Sequence, residues 1–201
     1  MAFPTDHLAP IVIALSFAAG LNVYATVATL GLLARLHAIE LPPSLDLLAS
    51  SWVIGASLAL YALEFVADKI PAVDLAWNAL QTFVRVPAAA LLAYAAAARL
   101  SPVEQLGTAL AGAGIAFLAH GGKMAARAAV TPSPEPLSNI ALSASEDVLA
   151  VGITWLASRH PYVAAAIATI LLAGIVLIAR IVLRAVRAVF GGALRQLESH
   201  Q

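Results

Sequence analysis

Uncharged apolar runs alternate with short polar breaks along this chain, and most of the runs are long enough to be membrane helices. Leu8 to Ala34 is uncharged for 27 residues, and Leu47 to Leu63 for 17 before Glu64. A third apolar run, Val86 to Ala98, has only thirteen residues, and a fourth extends from about Val103 to Val130 and contains His120, Lys123 and Arg127. The fifth segment is Leu137 to Ser158, and the sixth runs from Pro161 to Ala179 and continues into Arg180, Arg184 and Arg187. About 20 residues at ~1.5 Å each cross a hydrocarbon core of ~30 Å. The pattern predicts an all-α, polytopic membrane protein of about six transmembrane helices. It forms one domain over residues 1–201, with short connections around Glu40 to Asp46, Ser101 to Glu104 and Arg159 to Pro161.

Glu146 and Asp147 are the sharpest polar feature of this pattern. Upstream lies a proline-rich connector, Thr131 to Pro136, and downstream only eleven uncharged residues, Val148 to Ser158, precede Arg159. Eleven residues cover about half of a bilayer core, so a spanning segment must begin near Leu137 and carry the two acids close to its midpoint. A carboxylate there costs at least ~2.5 kcal/mol on insertion scales and persists where it meets a partner, water or a substrate. Adjacent acids on a helix point about 100° apart, so one cation does not easily neutralise both. The alternative is structural neutralisation by Lys123 or Arg127.

The third and fifth segments share a plan. In each, an apolar helix turns charged at its end, a proline connector follows, and a polar-striped helix precedes an apolar tail too short to span alone. The first copy has Glu64, Asp68 and Lys69, then Ile70-Pro71, then Asp74, Asn78, Gln81 and Arg85. The second has His120, Lys123 and Arg127, then Pro132, Pro134 and Pro136, then Asn139, Ser143 and the acid pair. Paired, proline-interrupted segments of this kind point to a midplane binding site in transporters and are compatible with an internal repeat, parallel or inverted.

Helical spacing places Ser57, Tyr61, Glu64 and Asp68 on one face of the second helix, and His120, Lys123 and Arg127 on one face of the fourth. Between Val73 and Val84 the apolar positions Val73, Ala76, Trp77, Leu80, Phe83 and Val84 oppose Asp74, Asn78, Gln81 and Arg85. That stretch is either a flat interfacial helix or the first half of the third span, bent at Pro87; the shortness of the thirteen-residue run favours the second. The bland reading of Glu64, Asp68, Lys69, Lys123 and Arg127 is a set of ion pairs near the membrane boundary, and that of His120 a hydrogen-bonded packing histidine. Gly112 and Ala116 read as close-packing positions between helices.

Composition agrees with a bilayer. Of the 201 residues 62% are hydrophobic and 11% charged, mean hydropathy is +0.91 and formal net charge is zero. No cation precedes Arg35, which argues against a cleaved signal peptide. The absence of cysteine removes disulfides and thiolate chemistry, and the neutral balance argues against nucleic acid as a partner. With six spans, one face receives Lys69, Arg85, Lys123, Arg127, Arg180, Arg184, Arg187 and Arg195, and the other only Arg35, Arg99 and Arg159. Both termini are therefore expected in the cytoplasm, and the arginines at 180, 184 and 187 read as an anchor against anionic headgroups.

The stretch from Leu63 through Glu64-Phe65-Val66-Ala67-Asp68-Lys69-Ile70-Pro71-Ala72-Val73-Asp74, running on to Trp77 and Gln81-Thr82-Phe83-Val84-Arg85, resembles a bacterial family of integral membrane proteins, domain-of-unknown-function family 4126. So do His120-Gly121-Gly122-Lys123, Arg127, Ser133-Pro134-Glu135-Pro136 and Ser145-Glu146-Asp147. The resemblance covers Ser16 to Trp155. Where such proteins often carry an arginine soon after the first glycine, this chain has Asn22 after Gly20. The resemblance implies six helices and a multi-pass protein of the bacterial inner membrane, and it carries no activity.

Three function classes follow. A small transporter or channel would bind an ion, a proton or a small charged substrate through Glu64, Asp68, Lys69, Asp74, Asn78, Arg85, His120, Lys123, Arg127, Glu146 and Asp147, with no cofactor. A membrane enzyme would instead use Glu64, Asp68, His120 and Asp147 as ligands for a divalent metal acting on a lipid or phosphate. The lack of HExxH, GxSxG or Walker motifs lowers that reading. A non-catalytic assembly protein is the third class. The lipid bilayer is the expected partner, and a homo-oligomer is compatible with the sequence.

Overall fold

The structure, a computed structural model, describes residues 5–130 and 136–198. Within them it describes all side chains except those of residues 5, 71–72, 74–75, 129–130, 136–139, 185–186 and 188–198. Described residues form α1 (Leu8–Arg35), α2 (Ser51–Ala67), α3 (Pro71–Ala96), α4 (Pro102–Val130), α5 (Pro136–Arg159) and α6 (Pro161–Glu198), with short 3-10 helices at Thr5–His7 and Pro43–Ala49. α3, α4, α5 and α6 each begin on a proline. A proline at the first helical position loses no hydrogen bond and arrives with φ already set. α2 is capped by the Ser50 hydroxyl, which accepts from the Val53 N–H at 3.3 Å. At the start of α4, Glu104 and Ser101 satisfy one another, the Ser101 N–H donating to the Glu104 carboxylate at 2.9 Å.

α1, α3, α5 and α6 contain stretches long and apolar enough to cross a membrane, and Pro43–Ala49 with α2 makes a fifth if that pair, bent by 62°, is one span. α4 has the length but not the composition, with Glu104 and Gln105 near its start and His120, Lys123 and Arg127 toward its end. The stretch Asp74 to Arg85 is no separate interfacial helix: it continues through Pro87 into the thirteen-residue apolar run as a single helix of 26 residues.

α1 is the axis. Its apolar window is 83% buried against 6% for that of α6, and it packs on all five other helices. Around it the usual order of a soluble protein is reversed. On α3, Asn78, Gln81 and Arg85 are buried while Leu80 and Phe83 are 64% and 81% exposed. α4 likewise buries His120, Lys123 and Arg127 and exposes Leu106, Leu110 and Phe117. A polar interior inside an apolar exterior is stable only where the surroundings are hydrocarbon.

Close backbone approach holds α4 against the axis. A Cβ on Gly20 would lie 2.6 Å from the Ala116 carbonyl oxygen and 2.8 Å from the Ala119 Cβ. One on Gly112 would lie 2.6 Å from the Ala93 Cβ and 2.9 Å from the Ser16 hydroxyl, at a crossing of three helices. Gly20→Ala must part α1 from α4 and is expected to cost about 1–3 kcal/mol. Gly114→Ala, whose Cβ meets nothing within 4 Å, is expected not to destabilise. Thermal unfolding of the two variants in detergent checks the contrast.

Candidate functional site

The axis is broken at its middle. Asn22 adopts an extended backbone, φ −152° and ψ 101°, inside α1. Its side-chain oxygen accepts from the Ala25 N–H at 3.0 Å, which is the geometry of an N-cap, so the second half of α1 starts afresh at this residue. The Leu21 carbonyl, whose regular partner would be that same Ala25 N–H, accepts instead from Arg85 at 2.6 Å and from Lys123 at 3.3 Å. Arg85 also reaches the Gly20 carbonyl at 3.4 Å. Two cations thus occupy the C-terminal end of the first half-helix, where the helix dipole favours positive charge. The Asn22 amide donates to Asp147 Oδ1 at 2.9 Å, so a carboxylate lies at the N-terminal end of the second half.

Short connections bring the C-terminal ends of α2 and α4 and the N-terminal halves of α3 and α5 to this break. Helical spacing then turns one face of each toward it. Arg85 forms a buried pair with Glu64. Lys123 lies 3.2 Å from Glu64, 3.7 Å from Asp68 and 3.3 Å from Glu146. Arg127 joins Asp68 at 2.7 Å and Glu146 at 2.5 Å, and Ser143 donates to Asp68 at 3.2 Å. All six charged side chains are buried.

His120 is a neutral member of this network. Its Nδ1 accepts from Arg85 at 3.2 Å, so Nε2 carries the hydrogen and donates to the Asn78 carbonyl at 3.0 Å, with the Thr82 hydroxyl 2.9 Å away. With both ring nitrogens engaged, it has none left for a metal. Among the described residues no three His, Cys, Asp or Glu side chains converge as a metal site, so the set Glu64, Asp68, His120 and Asp147 does not assemble as one.

Of the residues singled out from the sequence, the structure gathers Glu64, Asp68, Asn78, Arg85, His120, Lys123, Arg127, Glu146 and Asp147 into one buried network. Lys69 is not part of it. Its ammonium is exposed, donates to the Phe65 carbonyl at 2.8 Å and lies over the Phe65 ring. The Asp74 side chain lies outside the described residues, as does that of Asn139. Asn22, the residue that joins the two halves of α1 to Asp147, was not singled out as a site residue by sequence reasoning. Its signal is an amide, a strong N-cap former, two positions after a glycine within an uncharged run.

The two adjacent acids divide their roles. Glu146 turns to Lys123 and Arg127, whereas Asp147 turns to Asn22 and has no cation within ion-pair distance among the described residues. The Tyr61 phenol, half-buried on α2, lies beside it. Asp147 Oδ2 is buried without a hydrogen-bond partner, as are Glu64 Oε2 and Asp68 Oδ1.

No curated protein and no solved structure matches this chain. One family model does, and it matches residues 9–181, a span that contains the broken axis and every residue of the network. The chain therefore belongs to the family described as domain of unknown function DUF4126.

Proposed function

We propose that this chain is a small multi-pass membrane carrier whose binding centre is the break in α1, serving an ion, a proton or a small charged solute. The observation that carries the reading is the interruption of the most buried apolar helix at Asn22, with both new helix ends turned to buried charges. Discontinuous helices at the bilayer midplane, presenting half-helix ends to charged ligands, recur in secondary transporters.

In this reading α4 is the sixth span, tolerated because its cations face carboxylates rather than lipid. Arg85, Lys123 and Arg127 drop out of the orientation count as embedded groups. Lys69, Arg180, Arg184, Arg187 and Arg195 remain on one face against Arg35, Arg99 and Arg159 on the other, which still puts both termini in the cytoplasm. In the cysteine-free chain, Ser44→Cys and Lys69→Cys are expected to label from opposite sides of the membrane. Labelling from one side contradicts the topology.

The functional test is flux into proteoliposomes driven by a pH gradient or a membrane potential, with sodium and potassium gradients in parallel. Wild type is expected to exceed empty vesicles under at least one of these gradients, and Asp147→Asn to abolish the difference while remaining folded. Wild-type vesicles that behave like empty ones under all of them contradict a carrier of protons or monovalent cations. A second reading, a structural network in a non-catalytic assembly protein, is favoured by the pairing of the three cations with three of the four acids. A folded wild type with no flux above empty vesicles would select it, whereas unchanged flux in Asp147→Asn would show only that Asp147 is not the transport residue.

A further inference from the structure

The described charges at the break do not balance. Glu64, Asp68, Glu146 and Asp147 contribute four carboxylates, while Arg85, Lys123 and Arg127 contribute three cations and His120 is held neutral. The three cations pair with Glu64, Asp68 and Glu146, which leaves Asp147 as the odd acid. An uncompensated charge in a buried site costs several kcal/mol. Asp147 is 6% exposed; one oxygen accepts from the Asn22 amide, and the other, Oδ2, is buried with no partner in full hydrogen-bond geometry, the Tyr61 phenol lying beside the carboxylate.

We propose that Asp147 is the proton-binding carboxylate of this protein, holding one exchangeable proton on Oδ2 while the Asn22 amide holds Oδ1. The inference deepens the carrier reading by naming its ion, although the proton site itself can be tested without flux. Its chemistry is a single reversible O–H bond: the proton comes from water and returns to it, and no other bond forms or breaks.

A metal cation fits the same oxygen poorly. A divalent ion needs several converging ligands, and no three acidic or imidazole side chains among the described residues supply them. The neighbouring Oδ1 already faces an N–H donor, which opposes a metal there and leaves Oδ2 as the oxygen open to a proton.

The groups around Asp147 come from every element packed on α5. α1 brings Asn22; α2 brings Tyr61, Glu64 and Asp68; α4 brings Lys123, with Arg127 on the Glu146 side. α6 carries no charged residue before Arg180. Glu64 and Asp68 bring negative charge and Lys123 positive charge to its surroundings, so its protonation is coupled to any movement of α4 relative to α2. Tyr61, the half-buried hydroxyl among these groups, is the natural relay from outside the network.

The test is infrared difference spectroscopy of the purified protein in liposomes, in water and in deuterium oxide. At neutral pH the wild type is expected to show a protonated-carboxyl C=O band that shifts in deuterium oxide, disappears in Asp147→Asn and persists in Glu104→Gln, a change at an exposed carboxylate outside the network. Tyr61→Phe, a mild change at a half-buried position, should move the band without removing it, and keeps the assignment testable if Asp147→Asn fails to fold. A wild type with no such band, a band unaffected by both Asp147→Asn and Tyr61→Phe, or a band removed by adding sodium or potassium at constant pH overturns the proposal. A band that behaves as expected in a protein without flux leaves the proton site standing and defeats the carrier reading alone.

Discussion

Arg127→Met is expected to destabilise the protein by about 3–5 kcal/mol, enough to abolish a folded, monodisperse preparation or to lower its unfolding temperature steeply. Arg127 is 1% exposed and joins Asp68, at the C-terminal cap of α2, to Glu146 on α5. Removing one partner of a buried pair leaves the other charge uncompensated, and the size of the effect comes from that stranded charge more than from the lost attraction. Here the loss strands parts of two carboxylates, with Lys123 at 3.7 Å and 3.3 Å as their remaining cation. The same argument predicts recovery in Arg127→Met/Glu146→Gln, because the second change removes one stranded charge. Lys69→Ala, at an exposed cation outside the network, is the control and should move stability by less than about 0.5 kcal/mol. If the double variant is no more stable than Arg127→Met, Glu146 is not held by this pair.

Asn22→Leu is the second large effect, and it acts on both structure and function. It removes the cap of the second half-helix, worth about 0.5–2 kcal/mol, and the amide that satisfies Asp147 Oδ1, whose loss costs about 1–3 kcal/mol. Leucine is also a strong helix former, so the variant favours a continuous α1 in which the Ala25 N–H and the Leu21 carbonyl find each other and Arg85 loses its closest carbonyl. Flux is expected to vanish even where the protein still folds. Asn22→Ser, which keeps a capping oxygen, should retain most of the stability but not the bond to Asp147. Equal flux in Asn22→Leu and wild type would separate the break from any transport role.

Much of this architecture is legible in the order of residues, for identifiable reasons. The prolines at 71, 102, 136 and 161 mark four helix starts, and the uncharged run from Leu8 delimits the first helix to within a residue. The spacing of Glu64 and Asp68, and of Lys123 and Arg127, puts each pair on one helix face, and their pairing follows because both faces must avoid lipid. The third helix is harder to read. Its apolar run looks too short because its first half carries the polar stripe inward, and an inward stripe has the same spacing as one facing water. Lys69 carries the same charge as Lys123, but its position in the sequence does not say that it falls on the outer face.

The break at Asn22 is the least legible feature. The local sequence weakens the helix without forcing a break: Gly20, Val23 and Thr26 are poor helix formers, but no proline lies nearer than Pro10 upstream. Its partners decide it: Asp147 is 125 residues away, and Arg85 and Lys123 are 64 and 102 residues from Leu21. Such a break is stable only when all of those side chains arrive together, because an unsatisfied backbone group in a membrane interior costs several kcal/mol.

The most direct test of the account is therefore an experimental density map of the protein in a lipid nanodisc. It should show α1 interrupted at Asn22, with Arg85 and Lys123 on the Leu21 carbonyl and Asp147 on the Asn22 amide, inside the belt of lipid. A continuous α1 through residue 22, or charged faces of α2 and α4 turned toward the acyl chains, would contradict it.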